Sequence, residues 1–71
     1  MQREPLQSSG LRSVGYDSET QTLEVEFQQG EIYQYLGVPE FLYRGLVLAR
    51  SKGKFFNRNL VDRFPCRAMK P

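Results

Sequence analysis

A change of hydrophobic period at Pro39 does most to limit the folds open to this chain. Before it, Thr22-Leu23-Glu24-Val25-Glu26-Phe27 alternates polar and apolar with period two. That pattern predicts a half-buried strand, with Leu23, Val25 and Phe27 inward and Glu24 and Glu26 in water. After Pro39, Leu42, Leu46 and Ala49 recur at helical spacing, with Tyr43 and Val47 alongside. Strands first and helices after is the α+β pattern.

The remaining elements follow from turn chemistry. Leu11 to Tyr16 reads as a short extended segment, and Asp17-Ser18-Glu19-Thr20-Gln21 as a turn. Gln28-Gln29-Gly30 is the next turn, and Glu31 to Leu36 is a third strand, β-branched and aromatic. A three-residue loop with Gly30 left-handed pairs Val25 with Tyr33 and Leu23 with Tyr35, so the tyrosines share the inner face. A two-residue Gln29-Gly30 loop shifts the register and sends them outward. The first is favoured, because it keeps the large apolar side chains together and needs no positive φ at Gln29. Pro39 suits a first helical position, Glu40 complements the helix dipole, and Glu40 and Arg44 lie one turn apart. Gly45 inside this helix costs about 1 kcal/mol relative to Ala, which points to close packing against the sheet. Ser51 is a candidate cap for a second helix. Phe56, Leu60 and Phe64 continue it at spacing four until Pro65 stops it. The expected fold is α+β, a three-stranded antiparallel β-meander followed by two helices packed on one face (β-β-β-α-α). One domain over residues 9–66 is expected, with a flexible tail at 1–8 and a frayed one at 67–71.

With 71 residues the core is small, and the nine aromatics, five Phe and four Tyr, are expected to supply much of it. There is no histidine, which removes His-based triads and nearly all zinc sites. The single cysteine, Cys66, cannot form an internal disulfide, and a reducing cytoplasm is the simpler expectation. No base or orienting partner for it is evident in the sequence, so no enzyme is expected. Glu24 and Glu26 read as plain solvated residues, not an acid pair. No apolar run approaches the roughly 20 residues that span a bilayer. No cofactor and no metal are expected.

Charge divides unevenly along the chain. Residues 1–40 hold two basic and seven acidic side chains, net −5, and residues 41–71 hold eight basic and one acidic, net +7. Such asymmetry points to an anionic partner for the basic half. Its densest part is Arg50, Lys52, Lys54 and Arg58 around Ser51, Gly53, Phe55 and Asn57, at an expected helix start where free N–H groups favour a phosphate. The alternative is a solvated turn that merely aids solubility. Tyr33 and Tyr35, if exposed, form a stacking platform for unpaired bases; buried, they are core, as the favoured hairpin has them. Phe56 continues to Leu60 and Phe64, which leaves Phe55 the freer ring. Asn57 and Asn59 suit base-edge contacts or helix capping.

These segments, in order, resemble the KTSC domain, a short module that stands alone or at the C-terminus of some lysyl-tRNA synthetases. The resemblance runs from about Ser9 to Phe64. It rests on Val14-Gly15-Tyr16-Asp17, Leu23-Glu24-Val25-Glu26-Phe27, Gly30, Tyr33-Gln34-Tyr35, Gly37-Val38-Pro39 and Ala49-Arg50-Ser51-Lys52-Gly53-Lys54-Phe55-Phe56-Asn57. Phe64-Pro65-Cys66 departs from the Tyr-rich stretch more common there. With no catalytic set among the residues, a non-catalytic binding module is expected, and the resemblance, through the synthetase fusion, suggests RNA as its partner. The basic block, with Tyr33 and Tyr35 if exposed, is the expected contact surface. The alternative partner is another protein, by edge-strand pairing or by docking on a larger body.

Overall fold

The structure is a computed structural model that describes residues 1–69. Five strands, β1 (Glu4–Pro5), β2 (Leu11–Asp17), β3 (Thr22–Phe27), β4 (Ile32–Tyr35) and β5 (Cys66–Met69), form one antiparallel sheet in chain order. Helices α1 (Glu40–Leu48) and α2 (Lys52–Asn59) lie between β4 and β5 in sequence and cover one face. Among the described residues, no helix is long and apolar enough to cross a membrane.

The β3–β4 hairpin takes the three-residue loop. The Phe27 N–H donates to the Glu31 carbonyl at 2.8 Å, and the Gly30 N–H donates to the Phe27 carbonyl at 2.9 Å. Gly30 sits at φ +99°, a region closed to most side chains. Val25 therefore faces Tyr33 and Leu23 faces Tyr35, and both tyrosines lie on the helix side. There Phe56 of α2 meets the edges of Phe27 and Tyr35, with ring centroids 5.6 and 5.3 Å apart. Leu23, Val25, Leu46 and Phe56 are buried, and Phe27 and Leu42 are half-buried against them.

The sheet has five strands rather than the expected three, and the last one follows the helices. Glu4–Pro5 pairs with Val14 and Ser13 inside the segment expected to be a loose tail. Cys66–Met69 pairs with Tyr35 to Ile32 across the expected frayed end; residues 70 and 71 of that tail lie outside the described residues. The physical reason is the backbone of β2 and β4, whose outer N–H and C=O groups need partners that a three-stranded meander would leave to solvent. Neither added strand advertises itself. One is two residues long and contains proline, and Cys66-Arg67-Ala68-Met69 has no apolar alternation.

The outer sheet face also departs from expectation, because Glu24 is buried and Glu26 half-buried. Glu24 is only 6% exposed. Arg3 donates to one of its oxygens, and Gln34 Nε2 donates to the other at 2.8 Å. Arg67 in turn donates to Gln34 Oε1 from Nε and Nη2, at 3.1 and 2.8 Å. Glu26 accepts from Ser13 Oγ at 2.8 Å and lies 3.8 Å from Arg12. Burial alone would raise the Glu24 carboxyl. The hydrogen bonds from Gln34 and Arg3, with the positive charge of Arg3, outweigh it and hold the group below the usual carboxylate range.

The helices are shorter and packed differently than expected. Pro39 is the N-cap of α1 rather than its first residue. Gly45 does allow a close approach, but to α2 and not to the sheet: a Cβ there would stand 2.6 Å from Cζ of Phe55. Ser51 caps α2 as its position suggests, accepting from the Lys54 N–H at 3.4 Å. The helix ends at Asn59 instead of running to Phe64. The Leu60 and Val61 N–H groups both close on the Phe56 carbonyl, and Asp62 takes φ +61°. This left-handed turn drops Leu60 into the core and returns Phe64 to its edge.

Candidate nucleic-acid interface

Helix α2 has no acidic residue in its first turn, and its exposed flank is built from cations spaced by four. Arg50, Lys54 and Arg58 are all exposed. Lys54 and Arg58 stand one turn apart on one helix face, an arrangement that destabilises an isolated helix by roughly 0.2–0.5 kcal/mol through like-charge repulsion. Among the described residues, the salt bridges of the molecule go to Arg3, Arg12 and Arg44, and none to Arg50, Lys54, Arg58 or Arg63.

Two adjoining recesses run along this flank. The first, of 220 Å³, is lined by Ala49, Ser51, Lys54, Phe55, Arg58 and Asn59. The second, of 390 Å³, is lined by Arg58, Asn59, Arg63 and Phe64. Arg58 and Asn59 belong to both, so the recesses form one shallow groove with a phenyl ring in each half. The Asn59 side chain is fixed by donating from Nδ2 to the Phe55 carbonyl at 3.0 Å, and Phe55 is held against Gly45. Both groups are therefore pre-positioned, whereas the arginine and lysine heads lie in solvent.

The expected site residues divide into those the groove collects and those it does not. Lys54, Phe55 and Arg58 line it, whereas exposed Arg50, between Ala49 and Ser51, lines neither recess. Lys52 turns back and donates from Nζ to the Ala49 carbonyl at 2.8 Å, so it joins α2 to the end of α1. Asn57 is exposed but lines neither recess. Tyr33 and Tyr35 are on the inner sheet face. Tyr33 is half-buried against Phe27, and Tyr35 is in the core, where burial first and Cys66 second push its hydroxyl up to about 12. Tyr35 offers no free face for stacking, whereas Tyr33 also lines a separate recess with Ile32, Ala68 and Met69. Arg63 and Phe64 are not among the expected site residues, Phe64 belonging to the expected second helix, and Asn59 suits a cap as well as a contact. The signal that points to them is the recurrence of positive charge at 50, 54 and 58, which extends to 63 once the chain turns at Asp62.

The division of charge is gentler in space than in sequence. Acidic Glu24 and Glu26 on the outer sheet face carry their own arginines, Arg3 and Arg12, while Glu40 on α1 pairs with Arg44 at 2.8 Å. The excess of positive charge is left on the α2 flank.

Comparison with known proteins places this architecture. The profile of the KTSC domain matches residues 7–64. An uncharacterized protein of Stutzerimonas stutzeri (strain A1501) is 52% identical over 58 residues, which are 82% of each chain. A lysine–tRNA ligase of Nostoc punctiforme is 36% identical over 58 residues, 82% of this chain but 10% of the ligase. The crystal structure of a KTSC domain protein from Yersinia pestis superposes with a TM-score of 0.92 at 44% identity, over 97% of both chains. With a profile match over most of its length and a near-complete structural counterpart, the chain belongs to the KTSC domain family.

Proposed function

We propose that the protein is a non-catalytic binding module whose α2 flank takes RNA. The observation that carries the reading is the groove that Lys54, Arg58 and Arg63, without acidic partners among the described residues, line together with Phe55 and Phe64. Cations that repel one another are stabilised by an anion, and phosphates spaced along a strand supply several at once. A phenyl ring in each half suits the unpaired bases of a single strand better than a duplex, whose bases are already stacked. The presence of a similar segment in lysine–tRNA ligases is consistent with a surface that works near RNA. A reducing cytoplasm suits such a partner and a free Cys66.

The test is affinity for a short single-stranded RNA at low and moderate salt. Each of Lys54→Ala, Arg58→Ala and Arg63→Ala is expected to weaken binding and to reduce the slope of log K against log salt by about 0.7 for each phosphate no longer neutralised. Lys52→Ala is expected to change the slope less, because its ammonium is bound to Ala49. No binding at low salt, or equal affinity in wild type and Arg58→Ala, removes the reading.

A further inference from the structure

Asn59 fixes one hydrogen-bond acceptor in the α2 groove. Its amide donates from Nδ2 to the Phe55 carbonyl at 3.0 Å. A carbonyl accepts only from the NH2 end of an amide, so Oδ1 is the end left over. Among the described residues nothing donates to Oδ1, and no buried side-chain oxygen lacks a partner, so Oδ1 reaches solvent. Arg58 beside it is exposed and, among the described residues, makes no salt bridge. Both residues line both recesses. The larger recess, of 390 Å³, therefore brings together a planar fork of donors, a fixed acceptor and the ring of Phe64, with Arg63 at its side.

We propose that this recess selects guanine in a single strand, an inference that rests on the RNA reading of α2 and names the base it takes. Guanine carries two adjacent acceptors, N7 and O6, which match the Arg58 fork; this is the commonest specific contact between arginine and a base. Next to them it carries two adjacent donors, N1–H and the N2 amine, and Oδ1 of Asn59 has two lone pairs to receive them. Uracil alternates carbonyl, N–H and carbonyl, and offers the fork no adjacent acceptors. Adenine sets an amine beside N7, which opposes one arm of the fork. Cytosine satisfies both residues through N3, O2 and its amine, but its single ring covers less of Phe64, so it ranks second. Lys54 and Arg63 remain for the flanking phosphates. Arg58 has five N–H donors, so its charge still serves a neighbouring phosphate while two of them meet the base.

The experiment compares the affinity of the whole chain for the RNA strands UUGUU, UUCUU, UUAUU and UUUUU at one low salt concentration. Equal length keeps the phosphate contribution equal, so differences report the central base. UUGUU is expected to bind roughly five- to a hundredfold tighter than UUUUU. Arg58→Lys keeps the charge and loses the fork, and is expected to bring UUGUU down toward UUUUU. Arg58 lies in solvent, so this variant folds as wild type does. Asn59→Ala removes the acceptor and is expected to reduce the same preference. Equal affinity for the four strands overturns the proposal and leaves the RNA reading standing. A guanine preference that survives both Arg58→Lys and Asn59→Ala overturns it as well, because other groups then select the base. No binding of any strand removes this inference together with the RNA reading.

Discussion

Glu24 occupies a polar position of β3, yet it is nearly buried, held by Arg3 on one side and by Gln34, itself bound to Arg67, on the other. Its place in the alternation says little about these surroundings. Its folded-state ionisation lies below the ordinary value near 4.3. A depressed carboxylate stabilises the fold at pH values above its unfolded ionisation, and that contribution disappears as the pH falls through the folded one. Glu24→Gln keeps one hydrogen-bonding oxygen and removes the charge. It is expected to cost about 1.5–3 kcal/mol at pH 7 and to flatten the loss of stability between roughly pH 5 and pH 3. Urea midpoints measured across that range for both proteins check this. Parallel curves would mean that Glu24 is not the group responsible.

At the scale of elements, the contact between α1 and α2 rests on Gly45. The glycine is unfavourable for the helix by about 1 kcal/mol, but any Cβ collides with the Phe55 ring, and overpacking typically costs about 1–3 kcal/mol. Gly45→Ala is therefore expected to destabilise by roughly 1 kcal/mol net. In a Phe55→Leu background the same change should become neutral or stabilising, because the helix gain is no longer opposed. The double-mutant cycle in urea reads the coupling directly, and the same sign in both backgrounds would contradict the contact. The β2–β3 pair shows a related limit of pattern reading. Leu11 and Val14 are both buried although three residues apart, because the register shifts between Leu11 and Ser13 and Arg12 becomes the extra residue of a bulge. Period two cannot anticipate an inserted residue.

At the scale of the whole molecule, the two outermost strands are clasped to the centre of the sheet by one row of side chains. Arg3, just before β1, and Arg67, on β5, reach Glu24 and Gln34 from opposite edges. A domain of this size has a stability of only about 0.05–0.15 kcal/mol per residue, so the clasp is a large share of the total. Deleting residues 1–5 removes β1 and leaves the Glu24 carboxylate without its arginine. The expected loss is about 1–3 kcal/mol, with a fall in Tm of about 4–8 °C per kcal/mol. Calorimetry of the shortened chain is the check. An unchanged Tm would show that the N-terminal segment adds nothing to the fold.

What the sequence determined alone was local. Alternation over Thr22 to Phe27, the Gly30 turn and the helical spacing after Pro39 set three strands, both helices and the hairpin register, because each depends on residues within a few positions of one another. The charge excess of the second half was legible in the same way. Tertiary structure alone decided where the sheet ends, since β1 and β5 form against edges that exist only after β2 and β4 have paired. It also decided which polar residues are buried, because the partners of Glu24 come from residues 21 positions before it and 10 after it. The groove on α2 belongs to the same class. Phe64 and Arg63 reach Arg58 only through the left-handed turn at Asp62, a backbone conformation that no spacing rule announces.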